Sequence, residues 1–149
     1  MNEPKTNLVA QYQTLIVLWA AILMSQLMLI LVLFFTKKEL FKFGFTQPIE
    51  GQSGAMILGF AVVAITCVGF SFAFKRRFLD RAVEQQEPKL VQTGQTIAIA
   101  FCEASSLIGM CLAFAFDYQY FFAWFILGIA ATLFHFPRQN DLLAARYKR

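Results

Sequence analysis

The chain has 149 residues, of which 58% are hydrophobic and only 15% charged, a composition too apolar for a soluble domain of this length. Its formal charge of +4 comes from basic residues clustered between apolar segments, so it reads as a topological signal and not as a nucleic-acid footprint. The class is integral membrane, and the expected fold is all-α: one membrane domain over residues 1–149, a four-helix transmembrane bundle.

A helix needs about 20 apolar residues to cross hydrocarbon, and four segments answer to that: residues 12–36, 54–74, 92–116 and 119–136. Lys5 precedes the first, as in a signal peptide. Its apolar run is longer than the roughly 7–15 residues of a signal core, however, and no small-residue cleavage site follows, so it is expected to remain as a helix. The connection Lys37–Ser53 interleaves Phe41, Phe43 and Phe45 with charges and reaches Gln47-Pro48. Aromatics in that position are expected to anchor the span at the interface.

Span two carries small residues at Ala55, Gly59, Gly69 and Ala73, span three at Ser105, Gly109 and Ala113, and span four at Gly128 and Thr132. Four-residue spacing of small side chains lets helix backbones approach, and spans two and three are expected to form the closest pair. Between them, Arg77, Asp80, Arg81 and Glu84 recur at helical spacing. Helix two is therefore expected to continue into water until Pro88 stops it. Residues 114–125 form a dense aromatic belt around Asp117, which implies a tight turn and an antiparallel hairpin of spans three and four. After His135, expected at the interface beside Pro137, the tail over residues 137–149 holds a short amphipathic helix through Leu142, Leu143 and Arg146, with Asn140 or Asp141 as its cap.

Of the 13 Lys and Arg residues, ten lie before span one, between spans two and three, or in the tail, and three lie between spans one and two. The positive-inside rule puts both termini and the central loop in the cytoplasm; the expected site is a bacterial inner membrane. The tail's basic residues are also expected to meet anionic lipid headgroups. Cys67, Cys102 and Cys111 fall inside spans without a C-x-x-C pair or a histidine cluster, so no metal site or cofactor is expected and they read as packing residues.

One residue stands apart. Glu103 is the sole Asp, Glu, Lys or Arg inside any of the four spans, and a carboxyl group in hydrocarbon is a functional-site hypothesis by default. At about 1.5 Å per residue it shares a layer with Ser25 and Gln26 of span one. Ser106 lies one turn along the same helix, and Thr66 of span two is somewhat nearer the cytoplasm. Glu103 is expected to hydrogen-bond at least one of Gln26, Ser25, Thr66 or Ser106, because an orphan carboxyl there is expensive. With no cation in any span, its neutral form is favoured. Gln92, Gln95 and Thr96 trace an access route to it from the cytoplasmic side.

The run Ile97-Ala-Ile-Ala-Phe-Cys-Glu103-Ala-Ser-Ser-Leu-Ile-Gly109, with the loop Gln86-Glu87-Pro88 before it, resembles the second helix and polar loop of the c subunit, or proteolipid, of rotary ATP synthases. The likeness covers roughly residues 54–116 and implies that Glu103 matches an ion-binding carboxylate. Span two has only Gly54, Gly59 and Gly69 where that family's partner helix is glycine-dense, the family's Arg-Gln-Pro loop is not reproduced, and the acid is in the third of four spans. The expectation is a c-like hairpin flanked by two further helices and not a rotor subunit.

Three functions follow in order. The first is a non-enzymatic accessory or structural subunit, a homo-oligomer or part of a larger membrane complex, fixed by a Glu103 layer. The second is a proton- or cation-coupled carrier or ion-binding oligomer using Glu103. An enzyme is third, since no nucleophile with a base or phosphate loop is visible and nucleic acid is not an expected partner.

Overall fold

The computed structural model describes residues 3–41 and 52–147. Over these residues the chain forms α1 (Glu3–Thr36), α2 (Gln52–Gln85), α3 (Pro88–Phe116), α4 (Phe122–Phe134) and α5 (Gln139–Arg146), with 3₁₀ turns at Lys38–Phe41 and Gln119–Phe121. Phe43, Phe45, Gln47-Pro48 and the charges of Lys42, Lys148 and Arg149 lie outside the described residues.

Three helical stretches, Leu8–Thr36, Gly54–Gln85 and Pro88–Phe116, are long and apolar enough to cross a membrane. Helices α1 and α2 contain 34 residues each, or about 50 Å at 1.5 Å per residue, well beyond a hydrocarbon core of about 30 Å. Helix α2 runs on as expected. It stops where Gln86 adopts φ 54°, and Pro88 then occupies the first turn of α3, where its missing N–H leaves no bond unmade.

The fourth segment departs from the expected span over residues 119–136. Helix α4 has 13 residues, and the stretch Gln119–Phe134 turns by 48° into α5. Pro137 is the cause: it cannot donate a backbone hydrogen bond and keeps Phe136 out of helical geometry. Arg138 takes the N-cap position of α5 without a side-chain cap bond, so neither Asn140 nor Asp141 caps the helix.

Helix α3 is central, packing against α1, α2 and α4, and its contact with α2 is the most extensive. Leu15, Ala82, Val91, Leu142 and Ala145 cluster at one end, bringing the start of α1 together with α5. Leu33, Leu40, Ala113, Phe121 and Phe125 close the other. There Asp117, at φ 48°, ends α3 in the left-handed cap that the tight turn requires, and Lys37 Nζ bonds its carboxylate at 2.5 Å.

The close pair is α2 with α3, yet the expected glycines do not make it. A Cβ added at Gly59 or Gly69 would meet nothing within 4 Å, whereas one at Gly94 would collide with Phe78 of α2. Between α3 and α4, a Cβ at Gly109 would lie 2.7 Å from Trp124 Cβ, and one at Gly128 would lie 2.9 Å from Cys102 O and strike Ser106 Oγ. Small residues do mark close approach, but four-residue spacing alone does not say which face of α2 is turned inward.

Candidate functional site

The last turn of α4 tightens before Pro137, with His135 N–H shared between Ala131 O and Thr132 O and Phe136 N–H bonding Leu133 O, which leaves His135 O beyond the helix and the shared carbonyls with capacity for further donors. Three side chains add bonds to this end. Trp19 of α1 donates its indole N–H to Thr132 O at 2.8 Å. Gln95 of α3, only 3% exposed, donates its amide to His135 O. The His135 ring folds back so that Nδ1 lies 2.8 Å from Ala131 O, which fixes Nδ1 as the protonated nitrogen, since a carbonyl can only accept.

A further tie runs from α1 to the same helix. Gln26, fully buried, donates Nε2 to Thr132 Oγ1 at 2.9 Å, and that hydroxyl donates to Gly128 O at 2.9 Å. Ser105 of α3 donates to Trp124 O at 3.1 Å. Gln26 of α1 and Gln95 and Ser105 of α3 thus converge on α4 and its C-terminal end. Gln26 Oε1, Ser106 Oγ and His135 Nε2 are buried without a hydrogen-bond partner.

Glu103 lies beside this network. Ser25 Oγ donates to Glu103 Oε1 at 2.7 Å, joining α1 and α3 through one of the four partners expected. Both residues are partly covered by the chain's own helices. The remaining candidates go elsewhere: Gln26 bonds Thr132, Ser106 is buried with its hydroxyl unpaired, and Thr66 is exposed and donates to Val62 O at 2.6 Å. The structure therefore brings Ser25 to Glu103, packs Gln26 and Ser106 among the core residues, and leaves Thr66 on the outer face of α2. Nor do the polar residues at the start of α3 form a route to Glu103, because Gln95 turns to α4 and Thr96 bonds back to Gln92 O at 2.9 Å.

His135 differs most from its expected interfacial place. It is fully buried, stacked obliquely on Phe72 with ring centroids 4.3 Å apart and with Cys102 Sγ 3.9 Å from Nδ1. Of the cysteines Cys102 alone is buried; Cys67 is intermediate and Cys111 exposed. The Cys102–His135 approach is the nearest thing to a nucleophile with a base among the described residues. Because Nδ1 already carries its proton toward Ala131 O, that nitrogen has no lone pair with which to take the thiol proton. Pro137 held the signal for the end of the helix: a proline closing an apolar run stops α4 there, and Trp19, Gln95 and His135 add side-chain donors to the carbonyls of that end.

Comparison with protein-family models, with curated proteins and with solved structures finds no match to this chain, so its site is read from its own geometry.

Proposed function

We propose that the protein is a small non-enzymatic accessory or structural subunit of a membrane assembly, of the bacterial inner membrane, with both termini cytoplasmic and the bent α4–α5 pair serving as a fourth span. One observation carries this reading: the Glu103 carboxyl, between α1 and α3, receives the single hydroxyl of Ser25 and is only partly covered by its own chain. A membrane carboxyl with bonding capacity left over is suited to a donor from a neighbouring helix, whether of a second copy or of another subunit. Gln95, Ser105 and Thr132 bond the backbone of α4 and its end, which is an architectural role.

The test is migration of the membrane-extracted protein on native gels. Wild type is expected to run as an assembly, Glu103→Gln to keep it, and Glu103→Leu to release it while remaining inserted. A wild type that runs as a single chain overturns the proposal.

A second reading has its own support, since the orphan Gln26 Oε1 and Ser106 hydroxyl flank the Ser25–Glu103 pair along α1 and α3. In that reading Glu103 exchanges a proton or binds a cation for a coupled carrier. Carbodiimide labelling of Glu103 in membranes separates the two: labelling blocked by sodium, or lost as pH rises, favours exchange, and an unlabelled Glu103 in a stably inserted protein favours the static role.

A further inference from the structure

At the end of the bundle that holds both termini, a cavity of about 350 Å³ opens between α1 and α5. Its walls are Leu8, Val9 and Tyr12 on one side and Leu142, Leu143 and Tyr147 on the other, with Gln139 at its edge. The volume is that of a small-molecule pocket, yet the lining is almost wholly apolar and Val9, Leu143 and Tyr147 remain exposed. Tyr12 opens the apolar segment expected over residues 12–36, so the groove lies where hydrocarbon gives way to headgroups. The two tyrosines, each with an apolar ring and a polar tip, are suited to that depth.

Basic residues flank its α5 wall in sequence. Arg138 immediately precedes α5 and is exposed, Arg146 is in its last turn, and Lys75 of α2 is close enough to both Arg138 and Asp141 for their charges to act on it. Asp141, in the first turn of α5, offsets part of this charge.

We propose that this groove holds one acyl chain of an anionic phospholipid, its headgroup set against Arg138 and Arg146. An apolar slot whose edge residue Gln139 is preceded by the exposed Arg138 matches both parts of such a lipid, and a zwitterionic headgroup, which carries a cation of its own, gains less from the arginines. The bound lipid would extend the apolar contact by which Leu142 and Ala145 hold α5 to the bundle.

The test is native mass spectrometry of the full chain released from nanodiscs containing equal phosphatidylglycerol and phosphatidylcholine. Wild type is expected to retain one phosphatidylglycerol, with a preference of roughly tenfold or more, the scale for two basic side chains near an anionic headgroup. Val9→Trp and Leu143→Trp fill the groove from opposite walls at exposed positions, and each is expected to lose that lipid. Arg138→Gln combined with Arg146→Gln is expected to remove the preference, while Val63→Trp on the outer face of α2 keeps it. Equal retention of the two lipids by wild type overturns the proposal. So does a phosphatidylglycerol that survives both groove fillings, or a dimer, in place of a lipid, that those fillings dissociate.

Discussion

Gln26 and Thr132 illustrate how differently the two ends of one buried hydrogen bond behave. Gln26 has a donor that is used and a carbonyl oxygen that is not. Thr132 Oγ1 would still have Gly128 O as acceptor if Gln26 were removed. Gln26→Leu, close in volume, therefore removes one bond and one orphan acceptor together, and is expected to leave stability within about 0.5 kcal/mol of wild type. Thr132→Val strands the Gln26 amide as well as its carbonyl and is expected to cost about 1–2 kcal/mol. Thermal unfolding in detergent ranks the two. Equal losses would mean that the bond itself, and not the stranding of a buried group, sets the cost.

Among the elements, α3 with its neighbours α2 and α4 shows the clearest division between what residue types reveal and what they hide. The apolar runs made α1, α2 and α3 legible because each exceeds a span length, and Asp117 announced the turn because a short polar residue tolerates the left-handed cap. The inward face of α2 was not legible. Gly59 and Gly69 are the residues one would choose for close packing, yet neither has a neighbour, since lipid and a partner helix are both apolar and leave no hydrophobic contrast to orient the helix. The partnership of Ser25 with Glu103 followed from equal depth, whereas the burial of His135 depended on the bend at Pro137, a tertiary event. Gly128→Ala would force a Cβ against Cys102 O and Ser106 Oγ and is expected to destabilise by about 1–3 kcal/mol, the usual penalty for overpacking. Gly59→Ala and Gly69→Ala are expected to be neutral or to gain up to about 1 kcal/mol from reduced chain entropy. Unfolding midpoints measured side by side decide it, and a Gly59→Ala loss as large as that of Gly128→Ala would place a neighbour against the outer face of α2.

For the whole molecule, the arrangement of the ends makes topology testable. The start of α1 and the whole of α5 share one apolar cluster, while Lys37 at the end of α1 pairs with Asp117 after α3. The chain therefore has two distinct poles: one with Lys75, Arg81, Arg138 and Arg146, the other with Lys37 and the aromatic residues near Asp117. By the positive-inside rule, the proposed topology has the first pole facing the cytoplasm. Because α4 is short, about 24 Å from Gln119 to Phe134 at 1.5 Å per residue, the bent pair reaches the first pole only with the help of α5, and the depth of α5 fixes whether four spans are completed. Cysteines introduced singly at Arg138 and Asp117, in a chain with its three native cysteines replaced, should react with a membrane-impermeant maleimide from opposite sides: Asp117→Cys in intact cells, Arg138→Cys only after the membrane is opened. Reaction of both in intact cells would mean that α4 and α5 return to the surface they left, a re-entrant loop, and the four-span topology would fall.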